Sequence, residues 1–217
     1  MPEADDKGVG SLFLDYLRGD VPSQGDIRYS AGLYDHYGDD DADRPYSQDL
    51  YGDNPDFIDR LRARGYAFSE DGRPRRDLPT VQELIDARAH VLGPALYVSQ
   101  GYAPGAVSFL GTAKEVLNTV GGSSFGDFSM DARNNRVGVE LGKQLGRDVT
   151  PQEVAKAADD LILNQLDQVI SRTADQQQAP AGAPEEAPYN YYSPEKGPDI
   201  YFPRYPDGTF NVRMGGG

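Results

Sequence analysis

Six polar residues in this chain are spaced so that helices could bring them together. Asp86 and His90 stand one helical turn apart, at i and i+4, where a carboxylate and an imidazole can hydrogen-bond. Glu115 follows. Asp131, Asn134 and Asn135 come next, in the run MDARNNRVGVELG, and with Gly138 and Gly142 they recur at i, i+3, i+4, i+7 and i+11. That spacing places all five on one helix face. A solvated face would carry Glu, Lys and Arg; this one carries short hydrogen-bonding groups and glycines that let a neighbour come close. If the faces meet inside a bundle, His90 oriented by Asp86 serves as a general base, or His90, Glu115 and Asp131 hold a divalent cation. The competing reading is a buried polar network in which the Asn pair ties helix ends and loops to backbone groups. One histidine and two acids at scattered positions are a weak metal signature, so neither a metal nor a cofactor is assigned.

Other chemistry is thinner. Asp39, Asp41 and Asp43 occupy the first three ligand offsets of a calcium loop, but Arg44 stands where the turn glycine belongs and Leu50 where the closing glutamate belongs. A solvated acidic loop is the better reading. The sequence contains no H-E-x-x-H, no P-loop and no G-x-G-x-x-G opening a Rossmann pattern. His36, in an acidic loop beside tyrosines, reads as a surface residue, which leaves His90 as the single candidate base. With no cysteine, thiol nucleophiles, disulfides and zinc–thiolate sites are excluded.

The elements that must position these groups are helices. Thr80 and Glu83 form a capping box ahead of Val81, Leu84, Ile85, Arg88, Val91, Leu92, Ala95 and Leu96, with Pro94 inside the pattern and a kink expected near His90. A second helix starts at Pro104 and ends at Gly121-Gly122. A third runs from about Ser129 to Leu145. The fourth opens with Thr150, Pro151 and Glu153, and carries Val154, Ala158, Leu161, Ile162, Leu166, Val169 and Ile170. The fold class expected is therefore mainly α, with a small four-helix core over residues 80–173.

Around that core the composition changes. Residues 1–79 read as an irregular N-terminal arm with short helices. Leu12 to Arg18 is one, with Leu12, Phe13 and Tyr16 on one side. Gly19 to Asp53 reads as a wrapping loop using Tyr29, Tyr34, Tyr37, Tyr46 and Tyr51 as contacts. Another helix is expected with Asn54 as N-cap, Pro55 first and Gly65 as its stop. Residues 174–217 read as a Pro-rich linker, DQQQAPAGAPEEAP, followed by an aromatic tail in which Pro206-Asp207-Gly208 signals the turn of a terminal β-hairpin. Gly 25 and Pro 16 with a 38% hydrophobic fraction fit a modest core carrying long arms.

Charge narrows the partners. With 35 acidic against 21 basic residues the net charge is −14, which disfavours direct nucleic-acid binding and favours a basic protein surface. The N-terminus is acidic and has no apolar core of a signal peptide, and no apolar run approaches a membrane span.

The runs DARAH (Asp86 to His90), AKE (Ala113 to Glu115) and MDARNNRVGVELG resemble an uncharacterised helical domain found in bacterial and tailed-phage proteins. The pattern of that family is roughly D-A-x-R-H, A-x-E and M-D-x-x-N-N-x-x-G. The likeness covers residues 86 to 142, and M-D-x-x-N-N-x-x-G is its specific part. It implies a small helical bundle with Asp86, His90, Glu115, Asp131, Asn134 and Asn135 as its polar positions, and it implies no reaction. This chain departs from it at Ala89, where the family has Arg; here Arg88 carries the cation, about 100° around the helix.

Together these readings favour a structural or accessory component of a tailed-phage virion. Its expected partners are other virion proteins, met through residues 1–53 and 174–217. A cell-envelope hydrolase using His90 with Asp86, Glu115 and Asp131 is one alternative, and a cytoplasmic acidic adaptor for a basic protein is another.

Overall fold

Capping chemistry sets where the helices begin. In a computed structural model, which describes residues 6–31, 47–52, 54–67, 74, 78–111 and 125–178, Thr80 N–H donates to Glu83 Oε2 at 2.7 Å and Glu83 N–H donates to Thr80 Oγ1 at 3.2 Å. The same reciprocal pair joins Thr150 and Glu153, at 2.7 and 3.2 Å. Those bonds from Thr150 hold the Glu153 carboxyl below its ordinary range. Ser23 and Asp26 make a third box, at 2.7 and 3.1 Å. Each box satisfies backbone N–H groups that a helix start leaves without partners.

Among the described residues the chain is mainly α. The helices are α1 (Val9–Arg18), α2 (Gln24–Tyr29), α3 (Ser47–Tyr51), α4 (Phe57–Arg62), α5 (Val81–Ser99), α6 (104–111), α7 (Phe125–Leu145) and α8 (Pro151–Gln178). The β pairing among them is a single parallel bridge, Lys7 to Tyr102, which straps the residues before α1 to the loop after α5. No helix is long and apolar enough to cross a membrane among the described residues.

Several expected boundaries move. Residues 19–53 are not one loop: α2 forms because Ser23 and Asp26 box its start, and α3 places Tyr51 in the interior, 6% exposed. Tyr34, Tyr37 and Tyr46 lie outside the described residues. Asp56, rather than Asn54, caps α4, since its carboxylate accepts from Asp59 N–H at 3.0 Å. Asn54 instead donates to Tyr51 O at 3.1 Å. On α1, Leu12 turns inward while Phe13 and Tyr16 face outward, at 50% and 44% exposure. Gly19, at φ 75°, ends α1 in the left-handed conformation that a glycine adopts without steric cost. α7 starts one turn before Ser129, at Phe125. α8 runs past Thr173 to Gln178, because no Gly or Pro interrupts it before Pro180. α5 stays helical through Pro94. The expected terminal hairpin, His36 and the acidic run 38–43 lie outside the described residues.

The main core is shared by the helices before and after residue 80. Ile27, Leu50, Phe57, Ile58 and Leu61 pack with Leu84, Val91, Leu92, Ile162 and Leu166 in one cluster. A smaller cluster joins Leu12 and Val21 to Val98, Tyr102, Val107 and Val139.

α5 and α7 form the tightest joint. A Cβ on Gly138 would lie 2.2 Å from Val91 O, and one on Gly142 would lie 2.7 Å from Val98 Cβ and 2.8 Å from Ala95 O. The two glycines, one turn apart, let the helix backbones approach more closely than any side chain allows. This joint fixes the position of everything on the facing surfaces.

Candidate functional site

The polar stripe of α7 faces α5. Asn134 and Asn135 are 1% and 6% exposed, and His90 across the joint is 2% exposed. His90 Nδ1 lies 3.2 Å from Asn135 Oδ1. Its other nitrogen, Nε2, lies 3.5 Å from Asp131 Oδ1 and 3.8 Å from Asp86 Oδ1. The side chains of Asp131 and Asp86 are 14% and 32% exposed, so the cluster grades from the interior toward solvent at Asp86. There Arg28 of α2 donates to the Asp86 carboxylate. Gly111 closes the inner side: a Cβ on it would lie 3.2 Å from Asn135 Nδ2.

The structure thus brings Asp86, His90, Asp131 and Asn135 together and buries Asn134 on the same helix. Glu115 lies outside the described residues. The available chemistry is narrow. Asn135 Oδ1 only accepts, so the contact at 3.2 Å uses a hydrogen on Nδ1. The ring is thereby oriented with Nε2 toward two carboxylates, the arrangement that suits a cation or a shared proton.

A second polar centre was missed by sequence reasoning. Arg88 and Asp159 are both fully buried, with Arg88 Nε donating to Asp159 Oδ1 at 2.8 Å. Arg88 Nη1 donates to Ile27 O at 2.8 Å and to Ser30 Oγ at 3.2 Å, and Nη2 donates to the Tyr51 hydroxyl. Tyr51 in turn donates to Asp159 Oδ2 at 2.7 Å. The guanidinium also lies 5.4 Å from the ring centres of Tyr51 and Phe57. One buried cation therefore ties α2, α3, α5 and α8 together. Burial alone would lower the Arg88 pKa, but the Asp159 carboxylate and the Tyr51 hydroxyl outweigh it and raise it. Burial pushes the Tyr51 phenol well above its ordinary value, reinforced by Asp159 and opposed by Arg88. The signal for this centre was present: Arg88 and Asp159 are charges standing in apolar stripes, where a lone charge is too costly to persist unpaired.

Sequence reasoning also missed one nucleophile-type pattern. Gly122-Ser123-Ser124-Phe125-Gly126 has the spacing G-x-S-x-G and leads into α7. Ser124 lies outside the described residues, and the strand that precedes a nucleophile elbow has no counterpart among them.

No family model, curated protein or solved structure matches the chain.

Proposed function

We propose that this chain is a structural or accessory component of a tailed-phage particle, a helical core docked to neighbouring proteins rather than an enzyme. The outer face of α1 carries the reading. Val9, Phe13, Tyr16 and Leu17 follow at helical spacing with Leu14 beside them, and they are 38%, 50%, 44%, 64% and 49% exposed in the order Val9, Phe13, Tyr16, Leu17, Leu14. Burying one such side chain contributes about 1.5–3 kcal/mol, and contiguous apolar patches of this kind mark protein–protein contact sites. Charge of −14 favours a basic neighbour. The resemblance of the Asp131 to Gly142 segment supplies the phage setting. Burial of His90 and the Asn pair beneath the α5–α7 joint supports a holding role for the polar stripe.

The test is a double variant, Phe13→Asp with Leu17→Asp, compared with the natural chain by quantitative mass spectrometry of purified particles. The natural chain is expected at fixed copy number and the variant is expected to be excluded while keeping its helical circular dichroism. A natural chain missing from particles refutes the proposal.

The convergence of His90, Asp86 and Asp131 favours a second reading, a hydrolase acting on cell-envelope material with these groups and Glu115. Turnover of peptidoglycan or lipid by the purified chain, abolished in His90→Gln at unchanged melting temperature, would establish it in place of the first.

A further inference from the structure

A helix joint alone does not require three acceptor atoms to face one another, yet α5 and α7 bring three together. One ligand-type atom each from Asp86, His90 and Asp131 lies within 4.8 Å of the other two. The nitrogen-to-oxygen separations are 3.5 Å to Asp131 and 3.8 Å to Asp86. Charge-assisted hydrogen bonds run about 2.7–2.9 Å, so both contacts are too long to be good ones. They fit the edges of a coordination shell instead. Ligands about 2.0–2.2 Å from a zinc-class ion stand roughly 3.4 Å apart at tetrahedral angles.

Orientation is the second observation. The hydrogen on His90 Nδ1 is taken by Asn135 Oδ1. When the ring is neutral its Nε2 lone pair faces two carboxylate oxygens, and one imidazole with two carboxylates is a donor set that suits a divalent cation. An outer partner that fixes the histidine tautomer is the usual companion of a metal-bound imidazole. Access is the third. Asp86 is 32% exposed and forms the solvent edge of a cluster whose histidine is 2% exposed, so an ion has an entry side.

We propose that Asp86, His90 and Asp131 bind one first-row divalent transition-metal ion, of the zinc or manganese class, across the α5–α7 joint. Mixed imidazole and carboxylate donors select that class over calcium, which takes oxygen ligands alone. Asn135 is a positioning residue that holds the ring. Arg28 shares the Asp86 carboxylate and competes with the ion for it. The proposal does not depend on the particle reading, because a clamp of this kind serves any function of the fold.

The experiment uses the full chain, stripped with a chelator and titrated separately with zinc chloride and manganese chloride by calorimetry, with melting temperature and His90 nitrogen NMR shifts followed alongside. The expected result is one saturable site for at least one of the two ions, a rise in melting temperature, and a shift of the His90 Nε2 resonance with Nδ1 remaining protonated. Asp86→Asn and Asp131→Asn should each weaken binding by more than about tenfold, and Arg28→Gln should tighten it. Asp86 lies at the solvent edge, so its variant keeps the test open if Asp131→Asn fails to fold. Absence of saturable binding by either ion overturns the proposal. So does binding that Asp86→Asn leaves unchanged, or a hydrogen found on Nε2 in the presence of the ions.

Discussion

Alanine in place of Gly138 should destabilise the protein, although in an ordinary helix the same change stabilises. Exposed helical glycine costs about 0.5–1 kcal/mol relative to alanine. At Gly138 the added Cβ would lie 2.2 Å from Val91 O, 2.9 Å from Val91 C and 3.1 Å from Pro94 Cβ. Two of these are backbone atoms of α5, so no side-chain rotation relieves the overlap. To restore ordinary contact α7 must withdraw by about 1 Å, which loosens the interior packing it shares with α5. Overpacking a tight interior costs about 1–3 kcal/mol, and more where backbone must move. We expect a net loss of about 3 kcal/mol, or roughly 6–12 °C in Tm for a chain of this size. Gly142→Ala meets Val98 Cβ at 2.7 Å and Ala95 O at 2.8 Å, so its loss should be smaller. Gly10→Ala on α1 meets nothing within 4 Å and should be neutral or stabilising by up to about 1 kcal/mol. Urea and thermal unfolding followed by circular dichroism give all three values. A Gly138→Ala protein as stable as the Gly10→Ala protein would refute the close-packed joint.

Arg88→Met or Asp159→Leu alone should cost about 3–5 kcal/mol by leaving a buried charge unpaired, and the double variant should cost less than the sum. Additive losses in denaturant titrations would contradict the coupling. For Tyr51 the folded pKa is raised, so the stability it contributes is present below the unfolded value of about 10 and is lost as pH rises toward the folded value. Tyr51→Phe should therefore be less stable near neutrality but lose less between about pH 9 and pH 11. Asp160 behaves oppositely. Burial raises its pKa, but bonds from Lys156 and Arg60 outweigh this and lower it. Its stability is present above about pH 4 and is lost as pH falls through the folded value. Asp160→Asn should flatten the acid limb by under about 1 kcal/mol, since the side chain is 36% exposed and screened. Thr80→Ala should cost about 1 kcal/mol through loss of the cap of α5, measured as a fall in the urea midpoint.

The helical core was legible because its signals are local. Boxes at Thr80 and Thr150 and apolar residues at helical spacing depend on neighbours a few positions away. The glycines of α7 foretold a close approach, and the approaching surface is α5. Short helices were harder. α2 hides in a stretch rich in Gly, Asp and Tyr, with an aspartate where a box usually has Glu or Gln, and its Ile27 gains order by packing into the shared core. Direction on α1 was misjudged because Leu12 and Phe13, adjacent in sequence, sit 100° apart around the helix. At the candidate site, Asp86 and His90 were paired by spacing alone. Their meeting with Asp131 and Asn135 depends on how α5 and α7 cross, which no local pattern encodes. The Arg88–Asp159 pair spans 71 positions, and only the oddity of a charge in an apolar stripe announced it.

The central claim is that the chain works by docking through α1 rather than by turnover. Counting its copies in purified particles, with the natural chain and with Phe13→Asp/Leu17→Asp, tests this most directly. The account predicts a fixed copy number for the natural chain and exclusion of the folded variant. Particles that hold both in equal number, or neither, would contradict it.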